Sequence, residues 1–248
     1  MSHLQDITQN LFEMGFEFDP MQMIFRHNSG LNVLFIPAAQ TVHNEPVSDC
    51  IVLHEDIWKN RKAAVINRLL SLTGHTHRIH GRQCTVKRID LETSRLFLEQ
   101  YHTGGFVNSY FKYGLFYRDE LISVGLFSKC RTFQTSKNLT YKSAELTRYA
   151  CKTEIRITGG LDKLLNTFCR EYEVNHLMTY ADKEWTDGKS YFTLGFEKIA
   201  ETPPLQFLVH KQTGQRIPAG EKPDNPDDWI LKSNLGNLKL IRIKNPRP

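Results

Sequence analysis

The chain has 248 residues, 40% hydrophobic and 24% charged, with a formal net charge of +5. This length and composition exclude wholesale disorder and allow one sizeable core with or without appendages; the mild positive charge permits a polyanionic partner without demanding one. Five scattered cysteines with no CxxC pair exclude a disulfide framework and a cysteine zinc site, and no stretch reaches the roughly 18 apolar residues of a membrane span. The N-terminal stretch MSHLQDITQNLFEMGFEFDP lacks the basic and apolar regions of a secretory signal. The expectation is a reduced, soluble, cytoplasmic protein with no membrane partner.

Residues 1–80 read as a small N-terminal α/β region. LNVLFIPAA and SDCIVLHED are two strands between turn-formers, and IWKNRKAAVINRLLSLTG is a helix with Trp58, Val65, Ile66, Leu69 and Leu70 near helical spacing. Lys59, Arg61, Lys62 and Arg68 give that helix a basic side, read as a solvated face with phosphate contact as the alternative. His54-Glu55-Asp56 reads as turn and cap chemistry. His75, His77 and His80 in GHTHRIHGR have no acidic or cysteine ligand nearby, so this stretch reads as a polar connector and no metal is expected.

Residues 81–210 have a different order. Thr85 to Ile89 is a short strand, LETSRLFLEQYH a helix, and SYFKYGLFY with LISVGLFS a hairpin about Arg118–Asp119–Glu120. Its aromatics alternate, Phe111, Tyr113 and Tyr117 on one face with Tyr110 and Phe116 on the other, which suits core packing better than base stacking. A loop from Lys129 to Tyr141 leads to the strand AELTRYACK. Then come a glycine pair with a helix, the strand HLMTYA, a short helix SYFTL, and a last strand pair around EKIAE and LQFLVH. The order predicts an α/β (α+β) fold in which one mixed, mainly antiparallel sheet is flanked by helices. Residues 211–248 begin linker-like and end in LKLIRIK, an added edge strand or a disordered basic arm.

The chemistry concentrates in two motifs. In RITGGLDKLL, Gly159 and Gly160 precede Leu161, Leu164, Leu165, Phe168, Cys169 and Tyr172, one face of an amphipathic helix. First-turn amides have no intrahelical partner, and glycine lets an anion approach them; the alternative is an ordinary turn into a helix. Asp162 in the first turn repels phosphate locally. The second motif, SYFTLGF, is a short helix closed by Gly195. Elsewhere, Glu145 and Arg148 are charged residues in a strand whose i, i+3 spacing sets them on opposite faces unless a bulge intervenes.

Over about residues 84 to 210 these motifs, with the strand pattern before them, resemble the GNAT acyltransferase superfamily. In that family a [QR]-x-x-G-x-[GA] loop holds the pyrophosphate of coenzyme A. The resemblance therefore implies acetyl-CoA or another acyl-CoA as cofactor, held by Arg156, Thr158, Gly159, Gly160 and Leu161. Leu161 stands where the family has Gly or Ala, a departure that implies a less close approach. The resemblance implies Tyr191 as the acid that protonates the leaving thiolate, with a buried core tyrosine as the alternative. Glu145, for which a structural ion pair with Arg148 is the alternative, and Asp182 at a strand end are the candidates for base or substrate anchor, and Arg148 and Tyr180 for substrate binding. A narrower resemblance, to a phage-associated branch related to the Mom DNA-modifying proteins, implies a nucleic-acid base as acceptor and DNA or RNA as partner. IVLHEDIWKNRKAAVINRLL resembles the end of a nuclease region of the very-short-patch-repair type, but the carboxylate and lysine set is not recognisable, so no nuclease activity is expected. A non-catalytic GNAT-like module that binds nucleic acid is the alternative reading, with Leu161 as its support.

Overall fold

The structure is a computed structural model that describes residues 3–40, 50–74, 76–134 and 140–243. In chain order the first elements are α1 (His3–Glu13), β1 (Phe16–Asp19), β2 (Ile24–His27), β3 (Asn32–Ile36), β4 (Cys50–His54) and α2 (Glu55–Thr73). There follow β5 (His77–His80), β6 (Thr85–Arg88), α3 (Leu91–Tyr101), β7 (Phe111–Tyr117), β8 (Glu120–Phe127), β9 (Arg131–Gln134) and β10 (Thr140–Cys151). The rest are β11 (Ile155–Thr158), α4 (Gly160–Glu171), β12 (His176–Asp182), α5 (Lys189–Phe192), β13 (Glu197–Glu201), β14 (Gln206–His210), β15 (Arg216–Pro218), β16 (Trp229–Ser233) and β17 (Asn237–Ile243). No helix is long and apolar enough to cross a membrane among the described residues.

The chain divides into two compact units, neither continuous in sequence. One comprises Met1–Val65, Asp182–Asp187 and Thr202–Asn237; the other comprises Ile66–Ala181, Gly188–Glu201 and Leu238–Pro248.

In the first unit β1 to β4 form a sheet in sequence order, antiparallel except for the parallel pair β3–β4. The sequence reading passed over α1, whose apolar signal is short: Ile7 and Leu11, one turn apart, are its buried residues. Asp6 on α1 accepts from Trp58 Nε1 at 2.9 Å and from Lys62 Nζ at 2.8 Å. The basic side of α2 is therefore not one phosphate-ready face. Lys62 is held by Asp6, Lys59 donates to the Gln212 carbonyl, and Arg61 sits at a kink with φ −136° and ψ 27°. The Pro- and Gly-rich stretch after Lys211 is not a bare linker. β14 pairs antiparallel with β15 and β16, because IP and WILKS supply alternating apolar residues between the turns. LQFLVH does not pair with EKIAE as expected; β13 pairs with β17 instead.

The second unit is built on a large mixed sheet ordered β13-β17-β12-β10-β8-β7-β6, with β9 pairing β10. β6 to β8 and β10 run antiparallel, while β10 and β12 are parallel. The alternating LKLIRIK is thus an inserted strand, not an edge strand or a free arm: β17 lies between β13 and β12, with Leu238 and Leu240 buried. Part of the expected loop Lys129 to Tyr141 is β9; residues 135–139 lie outside the described residues. α4 covers one face of the sheet. Its Leu164, Leu165 and Phe168 are fully buried, and Phe168 stacks on Phe127 at 3.9 Å, each such burial contributing roughly 1.5–3 kcal/mol. Phe111, Tyr113 and Tyr117 pack into this cluster, as the alternation predicts. Phe97 and Leu98 of α3 cover Val124, Leu126 and Ala150 on the other side.

Candidate functional site

The RITGGLDKLL motif begins in a strand, β11, that the sequence reading missed. β11 pairs parallel with β5, Arg156 opposite Arg78 and Thr158 opposite His80. GHTHRIHGR is thus partly a strand rather than a connector; a single apolar residue, Ile79, left no alternation to read. Ile79 and Ile157 face the core, so Arg78, His80, Arg156 and Thr158 form the exposed side of this ribbon. Among the described residues neither Arg78 nor Arg156 has a carboxylate partner. His77 and His80 lie on β5, His75 falls outside the described residues, and no three described His, Cys, Asp or Glu residues gather as a metal-ligand group.

The two glycines do different work. Gly159 is the residue before α4, left-handed at φ 72°, and a Cβ on it would meet nothing within 4 Å. It is the open lip of the helix mouth. Gly160 is buried, and a Cβ there would lie 2.4 Å from Ile157 Cγ2 and 2.8 Å from Ile157 Cβ. It is a packing glycine. Gly81 closes one side of the loop, for a Cβ there would come within 2.8 Å of the Gly159 carbonyl oxygen. The amides of Gly160, Leu161 and Asp162 are the first-turn donors that no preceding turn can satisfy. Leu161 packs its side chain against the core cluster. Asp162, the residue that would repel an anion, is held by Arg242 Nη1 at 3.1 Å and by Asn166 Nδ2 at 2.8 Å. Arg242 lies in LKLIRIK, so the sequence placed it in a tail with no link to the loop.

β10 and β12 pair in parallel over Ser143–Leu146 against His176–Thr179. β10 then continues to Cys151 and β12 to Asp182, without further pairing between them. Thr179 Oγ1 donates to the Leu146 carbonyl at 2.9 Å where the pairing stops. Tyr180, the next residue, is exposed. On the other edge of β10 the register against β8 shifts between Leu146 and Arg148, leaving Thr147 as an extra residue. Thr147 Oγ1 shares a 2.7 Å hydrogen bond with Ser109 Oγ and donates to the Leu126 carbonyl.

This bulge reverses the strand's alternation. Ala144 and Leu146 belong to the cluster under α4, whereas Ala150 belongs to the cluster under α3. Arg148 therefore shares a face with Glu145 despite their i, i+3 spacing. No direct ion pair joins them, but their charges interact: burial raises the Glu145 carboxyl above its usual range and Arg148 partly opposes this. Arg148 donates to the carbonyls of Gly105 at 3.1 Å and Thr147 at 2.9 Å.

Tyr191 is half-buried on α5 against the same core cluster as Leu161, and its ring meets Phe196 edge-on at 5.7 Å. Its hydroxyl makes no hydrogen bond with any described residue. Burial raises the phenol above its usual range while the charge of Arg68 lowers it. Arg68 was singled out in the sequence only as one of four bases on a helix.

Asp182 closes β12 and packs with the first unit. Its Oδ1 accepts from the Glu184 amide at 2.9 Å. Burial, and then the neighbouring Glu184 charge, push its carboxyl up to about 6. Glu184 is itself buried and 3.0 Å from His54 Nε2, while His54 Nδ1 is buried without a partner among the described residues.

The sequence matches no protein-family profile and no curated protein. The structure is similar to solved GNAT acetyltransferases. A GNAT family acetyltransferase from Elizabethkingia anophelis with acetyl-CoA bound matches at 13% identity, over 65% of this chain and 99% of that one, with a TM-score of 0.38. The ribosomal-protein-S18-alanine N-acetyltransferase from Escherichia coli matches at 12% identity, over 66% and 96%, with a TM-score of 0.41. A Bacillus subtilis acetyltransferase in complex with CoA matches at 13% identity, over 65% and 99%, with a TM-score of 0.38.

Proposed function

We propose that this chain is an acyl-coenzyme-A-dependent N-acyltransferase whose acceptor is a nucleic-acid base or another amine. The observation that carries the reading is the mouth of α4. Open space at Gly159, first-turn amides, two arginines on the adjoining ribbon without carboxylate partners among the described residues, and an Asp162 paired with Arg242 together suit a diphosphate. Arg156, Thr158 and the amides of Gly160 to Asp162 would hold it. Leu161 packs toward the core, which weakens the case for a module that lost its cofactor site.

When bound, acyl-coenzyme A supplies a thioester, whose cleavage leaves the coenzyme A thiolate. Tyr191 would hold the proton that this sulfur takes up: its phenol, kept protonated by burial, can donate to the thiolate within hydrogen-bond reach. Its hydroxyl, which has no hydrogen-bond partner among the described residues, is available for that bond. A carboxylate would remove a proton from the acceptor amine. Glu145, raised by burial, is the candidate in the same unit as Tyr191; Asp182, pushed up to about 6, is the candidate that belongs to the other unit.

The test is acyl transfer to a panel of amines, including single-stranded oligonucleotides, by the wild type and Tyr191→Phe. The reading expects the variant to keep coenzyme A binding and to lose about 10²–10⁴-fold in turnover. Unchanged turnover would remove Tyr191 from the mechanism.

A further inference from the structure

One face of the large sheet carries rings that the acyl-transfer chemistry does not use. On β10, Ala144 and Leu146 point into the cluster under α4, so Tyr141, Ser143 and Glu145 stand on the opposite face. β12 alternates the same way: Leu177 faces that cluster, while His176 and Met178 face away, in register with Ser143 and Glu145. On β9, Arg131 and Phe133 stand in register with Ser143 and Tyr141. All of these belong to the second unit. α3 covers Val124, Leu126 and Ala150 farther along this face, whereas Phe133 is 43% exposed.

Phe133, Tyr141 and His176 form a row across three strands. Phe133 stacks on Tyr141 with ring centroids 5.3 Å apart and planes 18° apart, and Tyr141 meets His176 at 5.2 Å. Ser143 Oγ fixes the last ring through a 2.9 Å hydrogen bond with His176 Nδ1. Burial lowers the His176 pKa and the charge of Lys239 adds to this, which leaves the imidazole a neutral, flat ring. At the other end Phe133 meets no second ring among the described residues, and its outer face is open. Cations flank the row. Arg131 is exposed and has no carboxylate partner among the described residues, and Lys239 stands on β17.

A planar ring laid on Phe133 continues the stack and takes its apolar face out of water, and the cations answer a chain of phosphates. Stacking rings beside positive charge are what a single strand of nucleic acid needs, whereas a duplex keeps its base faces inside. We infer that the β9–β10–β12 face binds single-stranded nucleic acid, with a base on Phe133 and backbone phosphates on Arg131 and Lys239. Glu145 stands on the same face four residues from Tyr141, about 13 Å along β10 at ~3.3 Å per residue. Under the acyltransferase reading, on which this step alone rests, the platform would bring a base amine to that carboxylate.

Fluorescence anisotropy of labelled oligonucleotides tests this on the full chain without coenzyme A. The probes are short single strands of DNA and of RNA, the DNA duplex, an abasic DNA strand, and an acidic peptide of equal charge. The wild type should bind the DNA strand, the RNA strand or both, and the duplex and abasic strand at least about tenfold more weakly. Phe133→Ala, at an exposed position, should lose about 5- to 150-fold in affinity for the strand, while Tyr141→Phe, which keeps its ring, binds as the wild type does. Arg131→Gln should reduce the slope of log affinity against log salt by about 0.7. Strand binding by a protein that does not bind coenzyme A keeps the inference and removes the acyltransferase reading; coenzyme A binding without strand binding does the reverse. The inference is overturned if the wild type binds no single strand at low salt, if duplex or acidic peptide binds as tightly, or if Phe133→Ala binds the strand as the wild type does.

Discussion

Asp182→Asn should stabilise the protein at neutral pH, and the size of the gain should depend on pH in a defined way. The Asp182 carboxyl stands at about 6 in the fold against a usual 3.8, because burial and the neighbouring Glu184 disfavour its charge. Below pH ~4 the group is protonated in both folded and unfolded chains and has no differential effect. Between pH ~4 and ~6 the folded state holds the proton that the unfolded state has released, so its contribution declines as pH rises. Above ~6 the full cost is present. A difference of about two pKa units corresponds to about 3 kcal/mol at 1.36 per unit, a ceiling that solvent access lowers to about 1–3 kcal/mol. Asparagine keeps an Oδ1 to accept from the Glu184 amide, so the substitution removes the charge and retains the 2.9 Å hydrogen bond. The assay is urea denaturation followed by tryptophan fluorescence from pH 4 to 7.5. Trp58, Trp185 and Trp229 all lie in the unit to which Asp182 belongs. The gap between variant and wild type should open between pH ~4 and ~6 and then stay level. A gap that does not change with pH, or a variant less stable at pH 7, would refute the reasoning.

Two further outcomes follow from the same geometry. Gly160→Ala forces a Cβ against Ile157 and should cost about 1–3 kcal/mol of overpacking, read as a fall of roughly 2–12 °C in the unfolding midpoint. In Tyr191→Phe, turnover should lose the alkaline limb of its pH profile, since the proton donor that titrates there is gone; an unaltered limb would assign it to another group.

The glycine mouth and the short helix after it were legible because both carry local signals: glycine before an apolar face, and glycine after SYFTL. The hairpin of β7 and β8 was legible for the same reason, its turn residues Arg118 and Asp119 standing between alternating apolar runs at φ 48° and 62°. What local pattern does not record is register. The bulge at Thr147, which sets Glu145 and Arg148 on one face, arises from pairing with β8 and from the Ser109 hydrogen bond, neither visible in AELTR. The partnership of Arg242 with Asp162 spans eighty residues of sequence and needs β17 inserted beside β12. Asp182 could be named as a strand-end carboxylate, but its raised pKa depends on burial beside Glu184. The two glycines looked equivalent in sequence; only packing separates the open Gly159 from the buried Gly160. For that reason a bulky residue at 160 tests the core, and one at 159 tests the mouth.

The most direct test of the account is calorimetric titration of coenzyme A into the wild type and into Gly159→Val. A valine at 159 projects into the space before the α4 amides, and its left-handed backbone costs about 1–2 kcal/mol without disturbing the core. The account predicts saturable one-to-one binding to the wild type and a loss of at least about tenfold in a variant that remains folded. Folded wild-type protein that binds no coenzyme A at millimolar concentration, or a variant that binds it as tightly, would contradict the assignment of the α4 mouth as the diphosphate site.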